Sequence, residues 1–87
     1  MKRLKLLMSQ QAQEDLAYWE HHDPEIANRV RLLLKNLEQG HSFPMLYATQ
    51  LKFRELSLFS LKIATEHRLV VEPLGEQFIV HQCRFHY

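Results

Sequence analysis

The N-terminal part of the chain carries apolar side chains at the spacing of a short strand followed by two helices. Residues 3–8 alternate weakly between polar and apolar side chains and predict an opening strand. Ser9 is a suitable N-cap for a first helix, because its hydroxyl can accept from a backbone N–H that has no intrahelical partner. The apolar stripe of this helix comprises Ala12, Leu16 and Trp19.

A second helix follows after a very short connection. Asp23 precedes Pro24, and proline disfavours the helical conformation at the preceding residue while suiting the first helical position itself. Asp23 is therefore the predicted N-cap, and Gly40 is the predicted C-terminal cap. The clearest apolar periodicity in the chain lies between them, at Ile26, Val30, Leu33, Leu34 and Leu37. The two helices are predicted to form an antiparallel hairpin.

Beyond the helices the periodicity changes to the alternation of β-strands. Residues 41–50 are predicted to form a loop with a turn at Phe43-Pro44. Alternating segments begin at Leu51, Phe59, Arg68 and Phe78, with a turn at Pro73-Leu74-Gly75-Glu76. An antiparallel meander after a helix hairpin defines the α+β class. We expect one domain over residues 1–87, in which the helix hairpin packs on a small, mainly antiparallel twisted sheet that includes the N-terminal strand.

Strand register can be inferred from burial, because a slip of one residue would move every apolar side chain to the wrong face. With a hairpin loop at Leu74-Gly75, the cross-strand pairs are Val71 with Phe78, Leu69 with Val80 and Arg68 with His81. On the preceding hairpin the same criterion pairs Leu61 with Val71, Ile63 with Leu69, Lys62 with Val70 and Ala64 with Arg68. Lys62, Arg68 and His81 are therefore predicted to share the face that the helices leave uncovered.

Two fixed cations and an imidazole on one face suit a polyanionic partner such as RNA. Arg68 has apolar neighbours in the sequence, and partial desolvation strengthens any contact that it makes with a phosphate. The alternative is an arginine that reaches a surface carboxylate such as Glu72, on the same face. His86 and Tyr87 at the C-terminus add a group that moves protons near neutral pH and a ring that stacks on a base.

Composition and charge narrow the class of protein only slightly. The net charge is +1, with −3 over residues 9–39 and +4 over the remaining residues, which suits an anionic partner on one face but equally fits random scatter. The single cysteine, Cys83, excludes an internal disulfide and suits a buried thiol. The apolar run near the N-terminus is too short for a signal peptide and no stretch is long enough to span a membrane, so we expect a cytoplasmic protein.

Two stretches in the C-terminal part of the chain resemble a known family. They are Glu66-His67-Arg68-Leu69-Val70 and the terminal Cys83-Arg84-Phe85-His86-Tyr87. With the order of strand, helix hairpin and meander, they resemble the YoeB/Txe branch of the RelE-like toxins. Further similar stretches are Leu16-Ala17-Tyr18-Trp19, Leu51-Lys52, Leu56-Ser57 and Phe59-Ser60-Leu61-Lys62-Ile63, so the resemblance covers nearly the whole chain.

The resemblance implies the RelE-like microbial RNase fold and the toxin of a type II toxin–antitoxin pair. Proteins of this family are mRNA endonucleases that depend on the ribosome, cut the codon in the decoding site and stop translation. The resemblance also implies a YefM-like antitoxin that wraps and blocks the toxin, and a homodimer. It implies no metal or other cofactor, because the ribose 2′-hydroxyl attacks the adjacent phosphate.

The resemblance also implies roles for individual residues. By motif position, Arg68 would stabilise the charged phosphorane, His86 would be the general acid, and Tyr87 would orient the substrate. Lys52, Lys62 and Arg84 are the expected RNA contacts, although Arg84 would equally suit the sealing of a sheet edge.

The chain departs from the family pattern at one catalytic position. In the family a catalytic glutamate stands as Glu-Pro just before the Leu-Lys pair, whereas here Thr49 takes its place. A threonine hydroxyl cannot serve as a base near neutral pH. Glu55 lies roughly 20 Å further along an extended strand, so His81 is the better candidate for a replacement base. One alternative is a catalytically weakened or inactive protein that keeps the fold and binds antitoxin or ribosome without cutting RNA. Another is an unrelated small α+β interaction domain.

Overall fold

The computed structural model describes residues 3–40, 49–53 and 56–84, with side chains for residues 3–40 and 58–84. The helices are α1 (Gln10–His22) and α2 (Pro24–Glu38), and the strands are β1 (Lys5–Met8), β2 (Thr49–Phe53), β3 (Leu56–Ala64), β4 (His67–Leu74) and β5 (Gln77–Gln82). The strands form one sheet in the order β1-β5-β4-β3-β2. Only the β1–β5 pair is parallel among these strands. The predicted α+β class and mainly antiparallel sheet are confirmed.

Capping residues begin the helices where the sequence predicted them. Ser9 Oγ accepts from the Ala12 N–H at 3.0 Å at the start of α1. The Asp23 carboxylate accepts from the Ile26 N–H at 3.4 Å at the start of α2. Gly40 follows the end of α2 with a φ of 85°, in the left-handed region that favours glycine. Within the described part of the chain, no helix has the length and apolar character needed to cross a membrane.

The core lies between the helix pair and one face of the sheet. Its buried members are Ala12, Trp19, Ala27, Val30, Leu34, Leu37, Leu61, Ile63, Leu69, Val71, Phe78, Val80 and Cys83. Leu16, Ile26 and Leu33 pack against its margin and are partly buried. The side chains that the sequence predicted for the inner face of the sheet are therefore the ones that pack against the helices.

The last hairpin is shifted from its predicted register by two residues. Its loop lies one residue later than predicted, at Gly75-Glu76. Gly75 takes a φ of +61° at the first loop position, which is where the tight hairpin turns need a positive φ. Val71, rather than Leu69, is therefore the partner of Val80. Because the shift is an even number of residues, the apolar side chains keep their predicted face.

The preceding hairpin is shifted as well. Glu66 lies in the connecting turn rather than in a strand, and a bulge at Ile63 interrupts the ladder. The observed pairs are Phe59 with Val71, Ser60 with Val70, Leu61 with Leu69 and Lys62 with Arg68. Lys62, rather than Ala64, is thus directly opposite Arg68. The sequence pattern carried no signal for the bulge, and a register inferred from unbroken alternation therefore missed it.

Strand β2 begins earlier than predicted. Its first residue is Thr49, so the predicted loop over residues 41–50 is wrong for the last two of its residues. Thr49 lies in register with Ser60, and Lys52 lies in register with Ser57. The predicted turn at Phe43-Pro44 lies outside the described residues.

We predict that Asp23→Ala lowers the free energy of unfolding by about 1 kcal/mol, because the first turn of α2 loses its side-chain acceptor. Asp23→Asn keeps a side-chain oxygen in the same place and serves as the matched control, with most of the stability retained. Urea unfolding followed by tryptophan fluorescence measures both variants. An equal loss in the two would contradict the capping role.

Candidate nucleic-acid interface

Lys62 and Arg68 form a cationic pair on the sheet face away from the helices. They are directly opposite each other across β3 and β4. Their neighbours Leu61 and Leu69 belong to the core, so alternation places both cations on the other face. Lys62 is exposed and Arg68 is half-buried. Like charges directly opposite in a sheet repel each other, with Cβ atoms roughly 5 Å apart, so an anionic ligand bound at this pair would relieve the repulsion.

His81 is the extra residue of a β-bulge in β5. Val71 pairs with Val80, whereas Val70 pairs with Gln82, which leaves His81 between the two pairs. Val80 and Cys83 both lie in the core although they are three positions apart, and the additional residue makes this possible. The predicted pairing of Arg68 with His81 is therefore wrong, because the shifted hairpin loop and the bulge move His81 along the strand.

The His81 side chain is held by a buried carboxylate. His81 Nε2 and Glu72 Oε1 are 2.8 Å apart. The Glu72 side chain is 11% exposed and that of His81 is 37% exposed, so the imidazole lies on the solvent side of the carboxylate. Glu72 is two pleats from Arg68 along β4 and hence on the same face. The carboxylate that the sequence offered as a surface partner for Arg68 contacts His81 instead.

Helix α1 holds the backbone of Cys83 just after β5. The Cys83 N–H donates to Asp15 Oδ2 at 3.0 Å. The Trp19 indole N–H donates to the Cys83 carbonyl oxygen at 2.7 Å. Asp15 is 2% exposed, so both backbone bonds lie away from water. This position is thus fixed by two side chains from the helix layer.

Arg84 continues the contact with α1. Its guanidinium carbon lies 3.5 Å from the centroid of the Tyr18 ring, a cation–π arrangement. Tyr18 in turn meets the Trp19 ring edge-on, with 5.1 Å between centroids. Arg84 therefore packs against the helix, and both its predicted contact with RNA and the alternative role in sealing a sheet edge stay predictions. His86 and Tyr87 lie outside the described residues.

The position of Thr49 relative to His81 follows from the ladder. Thr49 lies in register with Ser60, Ser60 with Val70, and Val70 with Gln82. Strands β2 and β5 are therefore separated by three strand spacings, roughly 14 Å. His81 does not lie beside Thr49, because β4, which carries Arg68, runs between them.

Sequence reasoning missed the residues that hold the site rather than those that would act in it. The sequence indicated only that Asp15 and Trp19 belong to a helix and that Glu72 is a surface carboxylate. Asp15 gave one usable signal, because it lies next to the apolar stripe and a buried acid needs partners. No cluster of three or more His, Cys, Asp or Glu that could hold a metal ion occurs among residues 3–40, 49–53 and 56–84.

Comparison with known proteins relates this arrangement to bacterial toxins. The sequence model of the family described as "YoeB-like toxin of bacterial type II toxin-antitoxin system" matches residues 8–87. The toxin YoeB of Escherichia coli (strain K12) is 28% identical over 88 residues, covering 97% of this chain and 100% of the relative.

Solved structures agree with the sequence comparison. The YoeB dimer from Staphylococcus aureus superposes with a TM-score of 0.80 at 27% identity, covering 98% of this chain and 99% of that one. The heterotetrameric YoeB-YefM complex from Staphylococcus aureus gives 0.78 at 27% identity over the same shares. This chain therefore shares its fold, a helix hairpin on a mainly antiparallel sheet, with these toxins. The chain belongs to the family of YoeB-like toxins of bacterial type II toxin–antitoxin systems.

We predict that Asp15→Ala lowers the free energy of unfolding by about 1–3 kcal/mol, because it leaves the buried Cys83 N–H without this acceptor. Asp15→Asn retains an oxygen that can accept the same bond and should keep most of the stability. Chemical denaturation of the two variants provides the comparison. If Asp15→Ala were as stable as the wild type, the bond to Cys83 would contribute nothing to folding.

The Cys83 thiol should be inert in the folded protein. Burial, with a smaller contribution from the charge of Asp15, raises the pKa of the Cys83 thiol to about 12. The neutral thiol therefore persists at mildly alkaline pH, and the thiolate is the reactive form. An aromatic disulfide reagent should label Cys83 in guanidinium chloride but not in native buffer. Rapid labelling of the native protein would contradict the buried, protonated state.

Proposed function

We propose that this toxin is an endoribonuclease that cleaves mRNA at the ribosome and thereby inhibits translation. The observation that carries the proposal is the Lys62–Arg68 pair, which shares one face of the sheet with the held imidazole of His81. Opposed cations outside the core suit a phosphate backbone, and an imidazole suits proton transfer near neutral pH. Family membership supports the same reaction class.

The proposed reaction is attack of a ribose 2′-hydroxyl on the adjacent phosphate. His81 takes the 2′ proton while the bond from the 2′ oxygen to phosphorus forms. Arg68 stabilises the negative charge of the phosphorane, and His86 protonates the 5′ oxygen as its bond to phosphorus breaks. The products are a 2′,3′-cyclic phosphate and a 5′-hydroxyl. Tyr87 orients the substrate, and the proposed RNA contacts are Lys52, Lys62 and Arg84.

The proposal includes partners and setting. Among the similar structures, those from Staphylococcus aureus are of a YoeB dimer and a YoeB-YefM complex. We propose by analogy that this chain binds a YefM-like antitoxin and forms a homodimer. The protein would act as a single domain over residues 1–87, in the cytoplasm, on ribosomes that carry mRNA.

A second candidate function is binding of antitoxin or ribosome without cleavage. The observation that favours it is Thr49, which stands on β2 where the family pattern has its catalytic glutamate. In this case the fold and its protein contacts would be retained, while translation would be inhibited, if at all, by occupancy alone.

Primer extension on an mRNA in a translating extract tests the proposal. The wild type should produce codon-specific cuts. Arg68→Ala should reduce them by about 10²- to 10³-fold, the cost of losing one donor to a developing negative charge. His86→Ala should abolish the cuts. Arg31→Ala is the matched control and should cut like the wild type, because Arg31 lies in an exposed ion pair with Glu20 on the helices.

Two outcomes would contradict the proposal. An absence of cuts by the wild type, together with tight binding to the product of the neighbouring antitoxin gene, would favour the binding function. Cutting that persists undiminished in Arg68→Ala would remove Arg68 from the mechanism, provided that this variant unfolds at the wild-type denaturant concentration.

A further inference from the structure

We infer that Glu72 is a positioning residue that fixes the tautomer of His81, so that His81 Nδ1 is the atom that accepts the proton from RNA. This inference rests on the proposed function and deepens it. It concerns a residue outside the toxin-like motifs, and it names the particular nitrogen that would act.

The hydrogen bond between the two side chains selects one tautomer. A neutral imidazole carries its proton on one nitrogen and a lone pair on the other. The Glu72 carboxylate has only acceptors, so the 2.8 Å contact requires His81 Nε2 to donate. The lone pair then belongs to Nδ1. As in other oriented histidines, the partner of one nitrogen decides which nitrogen can take a proton.

The two side chains differ in burial, and this difference decides which of them a ligand can reach. The Glu72 side chain is 11% exposed, whereas that of His81 is 37% exposed. The carboxylate is therefore withdrawn from solvent, and the imidazole is the member that a ligand on this face can reach. A carboxylate withdrawn from water also depends on this bond, because an uncompensated buried charge is costly.

The backbone beneath the imidazole is held from the helix layer. Ser9 Oγ donates to the carbonyl oxygen of His81 at 2.7 Å. The Ser9 N–H donates to the carbonyl oxygen of Val80 at 3.0 Å. The bond to Val80 continues the parallel ladder between β1 and β5, whereas the bulge would otherwise leave the His81 carbonyl oxygen outside the regular ladder. The backbone that carries the imidazole ring is therefore fixed, and so is the hydrogen-bond partner of the ring. This is the preorganisation that a catalytic group needs.

The distance to the cations permits joint action on one phosphodiester. On β4, Arg68 lies two residues before Val70, and Val70 pairs with Gln82, the neighbour of His81. Arg68 is therefore displaced from His81 by roughly 7 Å along the strand and roughly 5 Å to the side. Side chains of arginine and histidine are long enough to meet one phosphodiester across Val70, which lies between them on this face and is itself buried. Lys5, Lys62 and Arg68 are cations, and Glu72 is an anion, on the face that also carries His81.

A double-mutant cycle on cleavage tests the inference. Glu72→Ala should lower kcat by about 10- to 100-fold, with KM little changed, by analogy with the loss of a group that orients a metal-ligating histidine. In a His81→Ala background the same substitution should have no further effect, because Glu72 would act only through His81. Glu76→Ala, which removes an exposed carboxylate from the loop of the same hairpin, is the matched control and should behave like the wild type.

The outcomes separate this inference from the proposed function. Cleavage that is lost in Arg68→Ala but keeps its wild-type rate in His81→Ala would overturn the inference and leave the nuclease assignment standing. Equal losses from Glu72→Ala in both backgrounds would also overturn it, since Glu72 would then act independently of His81. A wild type that does not cut would overturn the proposed function and this inference together.

A spectroscopic measurement needs no variant and therefore does not depend on how the substitutions fold. Long-range proton–nitrogen correlation of the histidine rings, at a pH where His81 is neutral, reports which ring nitrogen is protonated. His81 Nε2 should resonate as a protonated nitrogen and Nδ1 as an unprotonated one. The opposite assignment would overturn the inference.

Discussion

The hydrogen bonds from α1 to the backbone of Cys83 are the contacts on which the rest of the candidate site depends. Asp15 accepts from its N–H and Trp19 donates to its carbonyl oxygen, and both bonds are buried. They fix the end of β5, which lies between β1 and β4 in the sheet. A buried acid and a tryptophan are costly to place in a core without partners, so the helix and the strand end specify each other.

Two bulges in the described strands are linked to the helices in the same way. The carbonyl oxygen of His81 accepts from Ser9 at the start of α1, and that of Ile63 accepts from Arg29 on α2. Bulges disturb the regular ladder, and here side chains of the helix layer satisfy backbone groups at both. The helices therefore cover the inner face of the sheet and also support its irregular positions, including the one that carries the imidazole.

The sequence predicted the layers of the fold well and the pairing of the strands poorly. Helix caps at Ser9 and Asp23 are local signals, and the alternation of apolar side chains decided which face of each strand is buried. The register depended on the position of Gly75 within its loop and on bulges at Ile63 and His81, which leave no mark in an alternating pattern. The cations were therefore assigned to the correct face with incorrect partners. The contact between Glu72 and His81 depends on the bulge, so it could not be predicted from the sequence.

Trp19 gives this molecule an optical property that follows from its place in the fold. It is the only tryptophan in the chain, so all indole emission comes from the junction between α1 and the end of β5. Its ring also meets His67 at the start of β4 edge-on, with 4.6 Å between centroids. Intrinsic fluorescence is therefore a local signal from the point where the C-terminal segment leaves the sheet. Binding of a partner at this end of the protein would change that emission even where the overall helix and strand content stayed the same.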